Sequence, residues 1–398
     1  MEILAKRIRT ISPSQTLAIS AKAKAMKAEG EYVVNFGVGE PDFPTPEHIV
    51  EAGIEALKAG KTKYTPSSGL MELRKAICEK FARDNGLTYE PSQIIVSNGA
   101  KHSIFNVCYA LVDEGDEVII PTPYWLTYPE VVKTCGGVPV YVEGRKENKF
   151  KITPEQLEAA ITPKTKLMIF NSPCNPTGAV YSEAEVRALA AVCEKSGIYV
   201  LSDEIYERLV YTDVRPFSMA KVSDAMYEHT ITVNGVAKTY SMTGWRIGYL
   251  AAPKAIAKAI DSFQSHATSN ACSIAQYATI KALNSPESCV EEMVSRFAER
   301  SAAALARIER MNGVYCIVPD GAFYIMLVVS GAFGKKLGER TIENAADFAD
   351  ALLEEKKVAV VPGGPFGADD CVRLSYSLSM EDMMEGLERI DAFMAQLK

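Results

Sequence analysis

Residues 230–250 read Thr-Ile-Thr-Val-Asn-Gly-Val-Ala-Lys-Thr-Tyr-Ser-Met-Thr-Gly-Trp-Arg-Ile-Gly-Tyr-Leu. The β-branched run Thr230 to Val233 predicts a strand, and Asn234-Gly235 is expected to end it as a turn. Lys238 follows just beyond, among small and hydroxylated residues and before a buried-looking Trp245-Arg246-Ile247. An ammonium held in a desolvated site loses pKa and becomes a nucleophilic amine, the chemistry of a Schiff-base lysine. Most lysines are simply solvated, so Lys238 gains weight only from residues elsewhere in the chain.

On both sides of this stretch, strand and helix patterns alternate, as in a doubly wound sheet. A surface helix is expected over 13–29, ending at Gly30, and further helices near Pro46 and over 70–86. Gln93 to Val96 reads as a strand, Ser97-Asn98-Gly99-Ala100-Lys101 as a turn, and 101–112 as a helix. A small-residue turn there aims free backbone N–H groups and the positive helix end at one point, which suits a phosphate. Strand 116–120 leads to Pro123-Tyr124-Trp125, where an indole at a strand end could stack on a flat ring. Thr153-Pro154-Glu155-Gln156 and Ser182 with Glu185 are capping boxes. The strand Lys166–Phe170 ends in Asn171-Ser172-Pro173-Cys174-Asn175, and Ile198–Ser202 ends in Asp203-Glu204-Ile205-Tyr206. Helices are expected over 253–266, 272–284, 287–311, 341–355 and 380–397, with strands at 321–324, 358–361 and 371–378, the last containing Arg373.

The 398 residues exceed one ordinary core and predict a large unit with a second lobe. The net charge of −7 argues against nucleic acid as main partner. No apolar run reaches the roughly 18 residues that span a bilayer, and no export signal is visible, so the expectation is a cytoplasmic protein. Nine scattered cysteines without a Cys-x-x-Cys pair point to free thiols, and the four histidines lack metal-ligand spacing, so no metal is expected.

Asn175, Asp203, Lys238 and the Gly99–Lys101 turn all follow predicted strands. In an open α/β sheet, ligands sit outside the carboxyl ends of strands, so these positions can share one pocket. A Schiff-base lysine, a carboxylate, a phosphate turn and a stacking indole together match pyridoxal 5'-phosphate, whose ring nitrogen needs an anionic partner. A dehydrogenase reading is poor, because Gly37-x-Gly39 lacks a third glycine and a long preceding strand.

Taken with Gly37-Val38-Gly39-Glu40-Pro41-Asp42-Phe43, Tyr64-Thr65-Pro66, Asn175-Pro176-Thr177-Gly178, Lys238 through Gly248 and Arg373-Leu374-Ser375, the chain resembles the fold-type I, class I aminotransferases. It is most similar to the bacterial aspartate aminotransferases, essentially end to end. The resemblance implies an α/β fold: a large domain with a mostly parallel doubly wound sheet, at 46–288, plus a smaller α/β domain from the two chain ends, 1–45 and 289–398. It implies a homodimer with a shared active site. It also implies that Lys238 carries pyridoxal 5'-phosphate and acts as catalytic base and acid. Asp203 would pair with the ring nitrogen, Tyr206 and Asn175 with the ring oxygen, and Trp125 would stack. Gly99, Ala100, Lys101 and Arg246 would hold the phosphate, with Tyr64 reaching it from the other subunit. Arg373 would take the substrate α-carboxylate, and Gly39 would add a backbone contact.

Two departures stand out. Ala100 and Ala237 replace hydroxyl residues that aminotransferases often carry. The cation that reads an aspartate side chain is not evident, with Ser14, Thr16 and Lys101 as polar candidates. The expected reaction moves the amino group of L-aspartate to 2-oxoglutarate. The alternatives are transamination of prephenate, aromatic or aliphatic amino acids, a β-eliminating lyase, and a non-enzymatic ligand sensor, for which no DNA-binding segment is present.

Overall fold

The computed structural model describes residues 3–398, and the first two residues of the N-terminal segment lie outside the described residues. Its centre is a seven-stranded sheet in the order Ile94–Ser97, Gly248–Ala251, Thr230–Gly235, Tyr199–Asp203, Thr165–Asn171, Glu117–Thr122, Val138–Glu143. Six strands run parallel, and Gly248–Ala251 is antiparallel to both neighbours. The inner strands are buried on both faces, as near-continuous apolar runs must be. Successive residues go to opposite cores: Leu201 and Ile169 pack with Ile104, Val107 and Ile260. Val200 and Met168 pack with Val186, Leu189 and Cys193 on the other side. Both predicted capping boxes form, Thr153 with Gln156 and Ser182 with Glu185.

A four-stranded antiparallel sheet, Val361–Pro362, Cys371–Ser375, Tyr324–Val328, Tyr315–Cys316, lies in the C-terminal part. The long helix Ser288–Ile308 buries Met293, Phe297, Ala304 and Ile308 against it. The N-terminal segment joins this unit. Val34–Asn35 pairs in parallel with Val358–Ala359, and Val34 and Phe36 enter the same core. Helix Gln15–Ala28 buries fully only Ala23, with Ile19 and Met26 partly buried. It therefore sits lightly on the surface.

Several expectations are corrected. Asn234-Gly235 is no turn: the strand runs through both residues, paired with Tyr249 and Gly248. The returning strand Gly248–Ala251 had no counterpart in the sequence reading, nor had Val138–Glu143. The strand expected at 321–324 starts only at Tyr324, and the one expected to reach 378 stops at Ser375. The segment 358–361 splits between two sheets. The helix expected from 341 begins at Ala345 because Asn344 caps it, while Arg340–Thr341 forms a short hairpin strand. Helix 70–86 is α-helical over Met71–Lys80 and tightens no further but widens to a π turn at Phe81–Asn85 before Gly86.

Candidate active site

The parallel strands deliver their carboxyl ends to one cavity of about 510 Å³, lined among others by Gly39, Trp125, Asn175, Asp203, Lys238 and Arg373. Asp203 is the last residue of its strand and is 3% exposed. Burial raises its carboxyl to about 6, while hydrogen bonds from the Tyr128 hydroxyl (2.7 Å) and the Ile205 N–H (3.3 Å), and the charge of Lys238, pull the other way. A buried carboxylate so poorly compensated calls for a cationic partner. Asn171 ties the neighbouring strand end in: its Nδ2 donates to the Asp203 carbonyl (2.8 Å), and its Oδ1 accepts from the Asn175 N–H (2.9 Å).

Lys238 lies three residues past its strand, with its amine 5.8 Å from the Tyr206 ring centre and 5.5 Å from that of Phe323. It donates to the Gly39 carbonyl. Desolvation, helped by Arg373 and Arg246, brings its pKa from 10.5 to about 8, against the opposing pull of Glu40 and Asp203. The amine is thus partly neutral near physiological pH, as a nucleophile requires.

Arg373 enters from the antiparallel sheet and is 2% exposed. Its guanidinium lies between the rings of Tyr324 (4.5 Å) and Phe366 (5.0 Å). Nη1 donates to Asn175 Oδ1 and Nη2 to the Gly37 carbonyl, each at 3.0 Å, while the buried Nε has no partner. Five donors in a rigid fork, with only two engaged, fit a carboxylate. The Tyr206 hydroxyl meets that of Tyr324 at 2.9 Å, and both rings are buried.

Helix Ala100–Leu111 begins at Gly99 with no side-chain cap. Its first N–H groups are free to take an anion. Gly99 has φ +85°, and a Cβ there would stand 2.5 Å from Arg246 Nη2, so only glycine lets the guanidinium rest over this turn. Arg246 is held by Nη1 to the Thr243 carbonyl (2.9 Å). Contrary to expectation it is exposed, because a left-handed φ of 57° turns it out of the apolar run while Ile247 stays buried. The Lys101 amine sits 4.9 Å over the Trp125 ring, and desolvation and Arg246 lower its pKa. This cradle, the carboxylate of Asp203, the Lys238 amine and the face of Trp125 fit a phosphorylated pyridine aldehyde as a set. Ala100 and Ala237 supply no hydroxyl, so backbone N–H groups and Arg246 are what remains for the phosphate.

Trp125 stands three residues beyond its strand rather than at the end, edge-on to Tyr128 at 5.5 Å. Tyr64 is not brought in by its own chain: it is 90% exposed and does not line the cavity. Ser14 and Thr16 do line it. Sequence reasoning missed Tyr128 and Tyr324 as partners of Asp203 and Tyr206, and nothing local marks either, since both read as ordinary core aromatics. Among the described residues no group of His, Cys, Asp and Glu could hold a metal ion.

Residues 31–390 match the family model for aminotransferase class I and II. The aspartate aminotransferase of Geobacillus stearothermophilus is 52% identical over 391 residues, 98% of either chain. The aspartate/prephenate aminotransferase of Cereibacter sphaeroides is 46% identical over 399 residues, the full length of both. Among solved structures, the aspartate aminotransferase of Thermus thermophilus with maleate superposes with a TM-score of 0.93 at 43% identity, over 98% of this chain and 100% of that one.

Proposed function

The chain belongs to the class I and II aminotransferase family, and on that premise we propose that it moves the amino group of L-aspartate to 2-oxoglutarate, giving oxaloacetate and L-glutamate. The observation that carries this reading is the desolvated amine of Lys238 in one cavity with buried Asp203 and the half-satisfied fork of Arg373. Pyridoxal 5'-phosphate, the family's cofactor, supplies when bound a carbonyl that captures the amino group and a ring that draws electrons away from Cα.

The residues then divide the work. Asp203 would keep the proton on the ring nitrogen, and Tyr206 and Asn175 would hold the ring oxygen. The N-terminus of helix Ala100–Leu111, with Arg246, would hold the phosphate. Trp125 would stack on the ring. Arg373 grips the substrate α-carboxylate in a bidentate fork, which a lysine could not copy. Lys238, with its pKa near 8, takes the Cα proton and returns it. Lys101, with Ser14 and Thr16, faces the substrate side chain.

We further place the domain limits at 1–45 with 289–398 around 46–288, supported by the pairing of Val34–Asn35 with Val358–Ala359. The enzyme is proposed to act as a homodimer: Tyr64 is exposed and outside its own chain's cavity, as a residue given to the other subunit's site would be. No helix among the described residues is long and apolar enough to cross a membrane, and the cytoplasm is the proposed location.

An amino-donor panel with 2-oxoglutarate tests the reading: kcat/KM for aspartate should exceed that for phenylalanine and alanine by at least tenfold. A preference for an aromatic donor, or for prephenate as acceptor, would reassign the substrate while leaving the site intact. Such an outcome has support in the relatives whose names include prephenate.

A further inference from the structure

The two proposed substrates differ in length. Both are pinned at the α-carboxylate by Arg373, so the distal carboxylate of 2-oxoglutarate lies one methylene farther out than that of aspartate. The charged groups lining the cavity are Lys24, Lys101, Lys238, Arg246 and Arg373 against Glu40 and Asp203. Phosphate, α-carboxylate and amino group occupy Arg246, Arg373 and Lys238, leaving Lys101 and Lys24 for the distal end. Lys101 has its amine 4.9 Å over the Trp125 ring, a contact that ties it to one place in the cavity.

Lys24 is different. It belongs to helix Gln15–Ala28, and Thr16, Ser20 and Lys24 recur every fourth residue, so they share one helix face. All three line the cavity, and the Thr16 hydroxyl oxygen is buried without a partner. Lys22, two residues away and off that face, pairs with Asp350 and Glu354. Lys24 is exposed and has no carboxylate partner among the described residues. A long flexible stem ending in a compact charge can follow a carboxylate over a range of positions.

We propose that Lys24 is the specificity residue for the longer, five-carbon substrate, receiving the distal carboxylate of 2-oxoglutarate while Lys101 serves the four-carbon one. The inference rests on the aspartate and 2-oxoglutarate reading of the same site. Its test uses the cofactor-loaded enzyme with Lys24→Met and Lys24→Arg. Steady-state KM values are measured for 2-oxoglutarate and aspartate. Kd values for the unreactive diacids glutarate and succinate come from titration of the cofactor's absorbance. In Lys24→Met, KM for 2-oxoglutarate and Kd for glutarate should rise roughly tenfold, the loss of one charge-assisted hydrogen bond, with aspartate and succinate changing less than about twofold. Lys24→Arg should restore most of the glutarate affinity. Equal changes for both lengths, or none for either, would overturn the assignment. If wild-type enzyme fails to transaminate aspartate at all, the function reading falls instead, and the glutarate-to-succinate ratio still decides the role of Lys24.

Discussion

Replacing Asp203 by Asn in the cofactor-free protein should reverse an instability that the fold carries at neutral pH. The carboxyl is buried and its pKa is raised from 3.8 to about 6, burial being the main cause. Between about pH 4 and pH 6 the unfolded chain has released this proton and the folded chain has not. Fewer protons are then bound in the unfolded state, so stability falls as pH rises through this window and stays at the lower level above it. A shift of about two units corresponds to about 3 kcal/mol. Asparagine does not ionise, so the unfolding free energy of Asp203→Asn minus that of wild type should climb by about 2.4 kcal/mol from pH 4 to pH 7, the rest of the roughly 3 kcal/mol falling below pH 4. The amide oxygen can still accept from Tyr128, but the amide nitrogen cannot accept from Ile205, which adds a pH-independent offset of about 1 kcal/mol. Urea unfolding of both proteins without cofactor, at fixed ionic strength and stepped pH, reads the difference directly. Curves that stay parallel within about 0.5 kcal/mol across this range would refute the claim that burial of this charge is uncompensated. Loading pyridoxal 5'-phosphate should then stabilise wild type more than the variant, because only the carboxylate gains a counter-charge.

Tyr128→Phe removes a hydrogen bond that lowers the Asp203 pKa, so in the cofactor-free protein that pKa should rise above 6 and the fall of stability with pH should extend to higher pH. Urea unfolding at stepped pH checks this, and an unmoved upper edge would mean the hydroxyl matters only for packing. Gly99→Ala places a Cβ 2.5 Å from Arg246 Nη2 at φ +85°, so it should raise the Kd for pyridoxal 5'-phosphate by roughly tenfold or more. Equilibrium dialysis of the cofactor measures the change, and wild-type affinity would remove Arg246 from the phosphate cradle.

Much of this site could be read from residue order because strand ends are where α/β sheets bind ligands: Asp203 ends a strand, and Asn175 and Lys238 follow strands. What misled was glycine. Asn234-Gly235 carries turn chemistry, yet Gly235 and Gly248 face each other across an antiparallel pair. A Cβ on Gly235 would lie 3.1 Å from Gly248 Cα, and one on Gly248 would lie 2.1 Å from the Ala100 nitrogen. Gly235 lets its strand approach Gly248 and Ile205, and Gly248 in turn packs closely against Ala100 at the start of helix Ala100–Leu111. That reason involves residues more than 100 positions apart and leaves no local trace. Tyr128 and Tyr324 were invisible for a similar reason: a tyrosine inside a helix or strand pattern reads as core, and only tertiary structure shows where its hydroxyl points. Arg246 was misread because its neighbours are apolar, and a single left-handed residue suffices to turn it outward.

The geometry of the reaction centre is set by a segment that belongs to neither sheet. Gly37 and Gly39 are two residues apart, and their carbonyls hold Arg373 Nη2 and the Lys238 amine respectively. One short stretch of backbone therefore spaces the guanidinium proposed to grip the substrate carboxylate from the amine proposed to move its Cα proton. Its own position is fixed at the N-terminal side by Val34–Asn35 pairing with Val358–Ala359, and by the Ser375 N–H donating to the Phe36 carbonyl. Ser375 sits two residues after Arg373 on the same strand, so the arginine and the carbonyl that orients it move as one body. Lys238, by contrast, comes from the parallel sheet, so its bond to Gly39 crosses from one unit to the other. A backbone carbonyl makes this link without any side chain entering the cavity. Glycine at 39 also leaves room for the Tyr324 hydroxyl that partners Tyr206, which would stand 3.3 Å from a Cβ there.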